Sequence, residues 1–158
     1  MTSDHDKIIT TLNLPDASQV CVVVRDLDKA IHHYESVLGI GPFVRPEIPY
    51  QDKYYLGKPI PDSEWVMGFA SLGPVELELT QPVKGPSIYS DFIEQHGEGL
   101  HHIGFDIKDL DTRLELCHRL GIEVLCIGRT PAGGFAHLNT HTEGDLLVEL
   151  IQRTARRA

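Results

Sequence analysis

The tetrapeptides Arg25-Asp26-Leu27-Asp28 and Lys108-Asp109-Leu110-Asp111 stand 83 residues apart. Each follows a strand-like stretch, Val20-Cys21-Val22-Val23-Val24 in the first case and His102-Ile103-Gly104-Phe105-Asp106-Ile107 in the second. An Asp in each tetrapeptide can cap a helix. Helical spacing follows: Leu27, Ala30, Ile31, Tyr34 and Leu38 up to the stop Gly39, then Leu110, Leu114, Cys117 and Leu120 up to Gly121. Further on, Leu77-Glu78-Leu79 matches Val148-Glu149-Leu150 at a separation of 71. The matches keep their order, so the chain reads as an internal duplication of one β-α-β-β-β unit. A unit that small cannot bury its sheet face alone, and two of them pack about a pseudo-twofold.

The rest of the pattern fits around this repeat. Pro42 to Ser63 reads as a weak strand and then a long loop, with breaks at Pro59 and Pro61. Glu64–Leu72 and Val75–Thr80 flank Gly73-Pro74 as a hairpin. Ser87 caps a short helix that Gly97 ends. Ile122–Ile127, Phe135–Thr140 and Leu146–Ile151 are the later strands, with Gly133-Gly134 suited to the turn between the first two. One structural domain results: a tail over 1–16, a first βαβββ module over 17–82 with an insertion around 47–63, a linker with a short helix over 83–98, a second module over 99–152 and a basic tail over 153–158.

Composition narrows the function. The chain has 158 residues, 41% hydrophobic and 23% charged, with a net charge of −9. That is a soluble globular balance, and the acidic excess excludes a general nucleic-acid surface. The longest apolar run is five residues, Val20 to Val24, far short of a membrane span. Cys21, Cys117 and Cys126 lack metal-site spacing and read as reduced, buried side chains. A cytoplasmic protein without membrane or nucleic-acid partners is expected.

Strand alternation sends Glu76 and Glu78 to one face of their strand and leaves Glu149 alone among apolar neighbours. A carboxylate buried there requires a cation. The repeat pairs Gln19 with His102 at strand starts, and Glu78 with Glu149 near strand ends. A pseudo-twofold would bring all four together. Three oxygen donors and one imidazole suit a six-coordinate divalent ion (Ni, Co, Mn, Zn or Mg) with open positions. His32, His33, His137 and His141 have no symmetric counterpart and are assigned to the surface or to the surroundings of the ligands, and Glu143 and Asp145 to a solvated turn.

Over residues 17 to 152 the sequence resembles the vicinal oxygen chelate superfamily (glyoxalase, bleomycin-resistance and dioxygenase proteins). Within it, Pro86-Ser87, Phe92-Ile93-Glu94 and His96-Gly97-Glu98-Gly99-Leu100-His101-His102-Ile103 are most similar to the methylmalonyl-CoA epimerases. The resemblance implies an α+β fold in which the paired modules form a curved, half-open barrel around one divalent metal. It implies the same four ligands, Gln19, Glu78, His102 and Glu149. Epimerases usually carry His where Gln19 stands and often Gln where Glu78 stands; the order Gln, Glu, His, Glu resembles some glyoxalase I enzymes. Extradiol dioxygenases and fosfomycin-type transferases want His at position 19 and are disfavoured.

The chemistry so implied is proton abstraction beside a carbonyl. Glu149 is the base on one face, and Glu78, Glu47 or Tyr50 returns a proton on the other. The substrate is an acyl-CoA or a similar thioester or carbonyl compound, and a homodimer is expected. Two alternatives stand beside this epimerase-like isomerase: a glyoxalase I-type lactoylglutathione lyase, and a metal-free small-molecule-binding protein of the bleomycin-resistance kind.

Overall fold

The computed structural model describes residues 10–158; the first nine residues of the expected N-terminal tail lie outside them. In chain order the elements are β1 (Gln19–Val23), α1 (Leu27–Ser36), β2 (Asp52–Tyr55), β3 (Lys58–Pro59), β4 (Glu64–Leu72), β5 (Val75–Lys84), α2 (Ile88–His96), β6 (Gly99–Asp106), α3 (Leu110–Arg119), β7 (Val124–Thr130), β8 (Gly133–Leu138) and β9 (Val148–Gln152). All nine strands form one mixed sheet, ordered β3-β2-β7-β8-β9-β6-β1-β5-β4, curled into a half-barrel.

The duplication is written into the register. β1 and β6 pair antiparallel at the centre, with Gln19 opposite Gly104 and Cys21 opposite His102. Adding 83 to one member of each pair and subtracting it from the other exchanges the two pairs, so the pseudo-twofold runs between them. On either side, β5 lies parallel to β1 with Glu78 opposite Cys21, and β9 lies parallel to β6 with Glu149 opposite Gly104. The helix starts repeat as well. Asp26 accepts a hydrogen bond from the Lys29 amide at 3.0 Å, and Asp109 accepts one from the Thr112 amide at 3.1 Å. Gln81 and Gln152 each accept the first helical amide of their module, those of Leu27 and Leu110, at 2.8 Å.

Two apolar clusters lie between the helices and the sheet. Val24, Leu27, Leu77 and Leu79 pack beneath α1; Leu110, Cys117, Ala136, Leu138 and Leu150 pack beneath α3, joined by Leu12 and Leu14 of the N-terminal segment. A third cluster, with Cys21, Trp65, Phe69, Tyr89 and Phe135, occupies the concave side. The helices thus cover the outer face of the half-barrel, and its hollow keeps a largely aromatic lining.

Two local expectations change. In the stretch expected as a weak strand and then a long loop, Val44 makes a single bridge to Phe69, and the expected loop forms the β2–β3 hairpin, which crosses to the other module and pairs with β7, Tyr54 opposite Ile127. An otherwise bare sheet edge is covered in this way. The β7–β8 turn is made by Pro131-Ala132, and Gly133 and Gly134 open strand β8 at φ values of 136° and 127°.

Candidate metal centre and substrate cavity

Gln19, Glu78, His102 and Glu149 converge on the axis of the half-barrel, each no more than 4% exposed. Their positions follow from parity: in β1, β5, β6 and β9 these residues occupy the concave face, and the parallel pairings bring them to one level. His102 Nε2 lies 2.9 Å from Glu149 Oε2 and 3.8 Å from Glu78 Oε2. Gln19 Nε2 donates to Glu149 Oε2 at 3.1 Å and to Glu78 Oε2, and approaches His102 Nε2 at 3.4 Å. Thr80 Oγ1 donates to Glu78 Oε1 at 2.5 Å.

The electrostatics of the cluster are those of a place built for positive charge. Burial, and then the like charge of Glu149, raise the Glu78 carboxyl above its ordinary value. Burial alone would depress His102, but Glu149 and Cys21 outweigh it and hold the imidazole well above its usual range. His101 and His137 are pushed the other way, by burial and by the neighbouring His102, so both are neutral rings. Burial also pushes the Cys21 thiol up to about 11, which leaves it protonated and a weak ligand.

The four residues fit a divalent cation. Two buried carboxylates share one small volume without a buried Lys or Arg between them among the described residues. Gln19 Oε1 is buried with no hydrogen-bond partner. With a cation at the centre of the cluster, a half-turn of that amide would exchange the two donated hydrogen bonds for a ligand oxygen. One imidazole nitrogen and three oxygens then surround one point, a set suited to an ion that keeps open positions.

His137 is the residue that repeat symmetry overlooks. Of the two places expected for it, the surface or the surroundings of the ligands, the structure has the second: it is fully buried, with Nε2 3.2 Å from His102 Nδ1 and 3.6 Å from Glu149 Oε1. His102, His137 and Glu149 bring potential ligand atoms within 4.8 Å of one another, as do Cys21, His101 and His102. His102 therefore turns Nε2 to the carboxylates and Nδ1 to His101, at 2.8 Å, and to His137. Contacts of that kind fix a ligating ring's orientation and tautomer. In the first module Phe69 occupies the matching place: it faces Glu78 across β4–β5 as His137 faces Glu149 across β8–β9. A match restricted to ligand-capable pairs cannot see such a position. His32, His33 and His141 are exposed, as are Glu143 and Asp145.

A cavity of about 330 Å³ opens onto the cluster and is lined by Gln19, Glu78 and Glu149. Glu47 and Tyr50 line the same cavity without joining the four. Glu47 is exposed, whereas Tyr50 packs against Trp65 and Phe135, with ring centroids 5.5 Å away in both cases. Burial, reinforced by the two carboxylates, raises the Tyr50 phenol far enough to keep it protonated.

A family model described as the glyoxalase/bleomycin resistance protein/dioxygenase superfamily matches residues 18–139. The mitochondrial methylmalonyl-CoA epimerase of Bos taurus is 27% identical over 156 residues, covering 95% of this chain and 81% of that protein. The uncharacterized protein YqjC of Bacillus subtilis is 28% identical over 136 residues, covering 83% and 87%. Among solved structures, a Streptomyces coelicolor methylmalonyl-CoA epimerase in complex with 2-nitronate-propionyl-CoA superposes with a TM-score of 0.69 at 20% identity, covering 90% of this chain and 99% of that one. The Mycobacterium tuberculosis methylmalonyl-CoA epimerase gives 0.68 at 18% identity, covering 90% of each chain. Among the described residues no helix is long and apolar enough to cross a membrane.

Proposed function

The chain belongs to the glyoxalase/bleomycin resistance/dioxygenase (vicinal oxygen chelate) superfamily, and on that footing we propose that it is a metal-dependent isomerase that epimerises an acyl-CoA, or a closely related thioester, by moving a proton next to the carbonyl. The observation that carries this reading is the convergence of Gln19, Glu78, His102 and Glu149, of which Gln19, Glu78 and Glu149 line a cavity that also reaches Glu47 and Tyr50. A divalent ion held by the four would polarise the substrate carbonyl and lower the cost of the charge that develops on its oxygen. Glu149 takes the α-proton on the cavity side. His137 and His101 hold the His102 ring in place, and Thr80 holds Glu78 Oε1.

Epimerisation runs in both directions, so the group on the second face must both give and accept a proton. Burial favours the neutral phenol of Tyr50, so giving up its proton is costly. Glu47, exposed at the cavity wall, is the second acid–base group of this proposal. The acyl-CoA substrate is supported by the three epimerases above, and the ligand order adds a hemithioacetal as the comparison substrate. The test is α-proton exchange with solvent deuterium on methylmalonyl-CoA and on a glutathione hemithioacetal, with Co, Mn or Ni supplied. Exchange on the thioester is expected, and Glu149→Gln should lower it by about 10²–10⁴-fold while the fold is kept. No exchange on either substrate with metal bound, or full activity in Glu149→Gln, contradicts the proposal.

A further inference from the structure

The residues after β9 fold back along the mouth of the half-barrel. Glu76, fully buried at the start of β5, is the anchor: it accepts hydrogen bonds from Arg153 Nη1 at 2.6 Å and from the backbone amides of Arg157 and Ala158 at 2.7 Å each. Arg153 also reaches Asp106 at the end of β6, at 2.9 Å. Arg156 adds a hydrogen bond to the Pro74 carbonyl. The segment is thus tied to both modules, and Arg153 and Arg157 are the two bases among the residues that line the cavity.

These two arginines are in different situations. Arg153 is consumed by Glu76 and Asp106. The Arg157 guanidinium has no ion-pair partner among the described residues, and its central carbon lies over the Phe69 ring, 4.8 Å from the centroid. Phe69 faces Glu78 across β4–β5, so this cation is held beside the cluster on the first-module side. With Glu78 and Glu149 neutralised by a divalent ion, Arg157 is the guanidinium of the cavity lining left without an ion-pair partner among the described residues. A guanidinium held by its backbone and backed by an aromatic face presents its fork to a planar anion.

Resting on the isomerase reading above, we infer that Arg157 is a specificity-determining residue that binds a carboxylate on the substrate's reacting head, and that the Glu76-anchored segment exists to hold it there. The free carboxylate of a substrate such as methylmalonyl-CoA thereby gains a partner in this chain. Two measurements on the manganese-loaded full chain test it. Deuterium exchange is followed on a 2-carboxyacyl thioester and on its carboxamide analogue, and malonate binding is followed by calorimetry, each in wild type and Arg157→Met. The expected results are a loss of about 10- to 100-fold both in preference for the carboxylate over the amide and in malonate affinity. Unchanged preference, unchanged malonate affinity, or no malonate binding by the wild type overturns the inference. If neither thioester exchanges, the isomerase reading fails, and the malonate titration still decides the role of Arg157.

Discussion

Replacing Glu76 with alanine removes three acceptor contacts at once, but their costs differ. The amides of Arg157 and Ala158 lie in an accessible segment and recover water, so their loss is nearly neutral. The Arg153 side chain is 7% exposed and loses its shorter partner, keeping only Asp106, whose side chain is 40% exposed. Breaking a buried pair outright costs about 3–5 kcal/mol. With one carboxylate retained, we expect about 2–3 kcal/mol. For a chain of this size that lowers Tm by roughly 5–10 °C. Urea denaturation read by circular dichroism supplies the free energy, and amide exchange over 153–158 shows the segment released. Glu76→Ala combined with Arg153→Met should be less destabilised than the sum of the two single variants, because no guanidinium is then left unpaired. A loss below about 0.5 kcal/mol, the ordinary surface range, would refute the assignment of Glu76 as a buried anchor.

Two further outcomes follow from local geometry. At Gly134, with φ +127°, an added Cβ would lie 2.0 Å from the Gly128 carbonyl oxygen; Gly134→Ala should unfold at markedly lower urea, by about 3 kcal/mol or more, and wild-type stability would contradict the β7–β8 register. The Asp109 carboxyl lies below its ordinary 3.8 because the Thr112 amide and hydroxyl donate to its charged form. Its contribution is therefore complete above pH 3.8 and lost as pH falls through the lower folded value. The stability advantage of wild type over Asp109→Asn should shrink on acidification between pH 5 and 2, and a constant difference would show that the cap carries no charge effect.

The sequence exposes what depends on repetition and alternation. Asp26 and Asp109 cap as their tetrapeptides suggest, and strand parity puts Glu78 and Glu149 on the hollow of the sheet. It conceals what depends on pairing between distant elements. Asp52-Lys53-Tyr54-Tyr55 is too short, and too near Pro59 and Pro61, to announce a strand, and its stabilising partner β7 lies in the other module. His137 escapes a symmetry argument because Phe69 holds the matching position, and only the β8–β9 register puts it level with Glu149. The basic tail shows its charge in the sequence, while its attachment to Glu76 is purely tertiary. Continuing the alternation of Glu149 through Ile151 to Arg153 was the available clue.

Cobalt(II) titration of the chelator-treated full chain, read by absorption spectroscopy and elemental analysis, addresses the metal centre itself. One ion per chain should bind in a weakly absorbing six-coordinate environment. His102→Ala and Glu149→Ala should each lower its affinity by more than the roughly 10–100-fold typical of losing an outer contact. Failure of the wild type to bind cobalt, or binding that both substitutions leave intact, would contradict a centre built from Gln19, Glu78, His102 and Glu149.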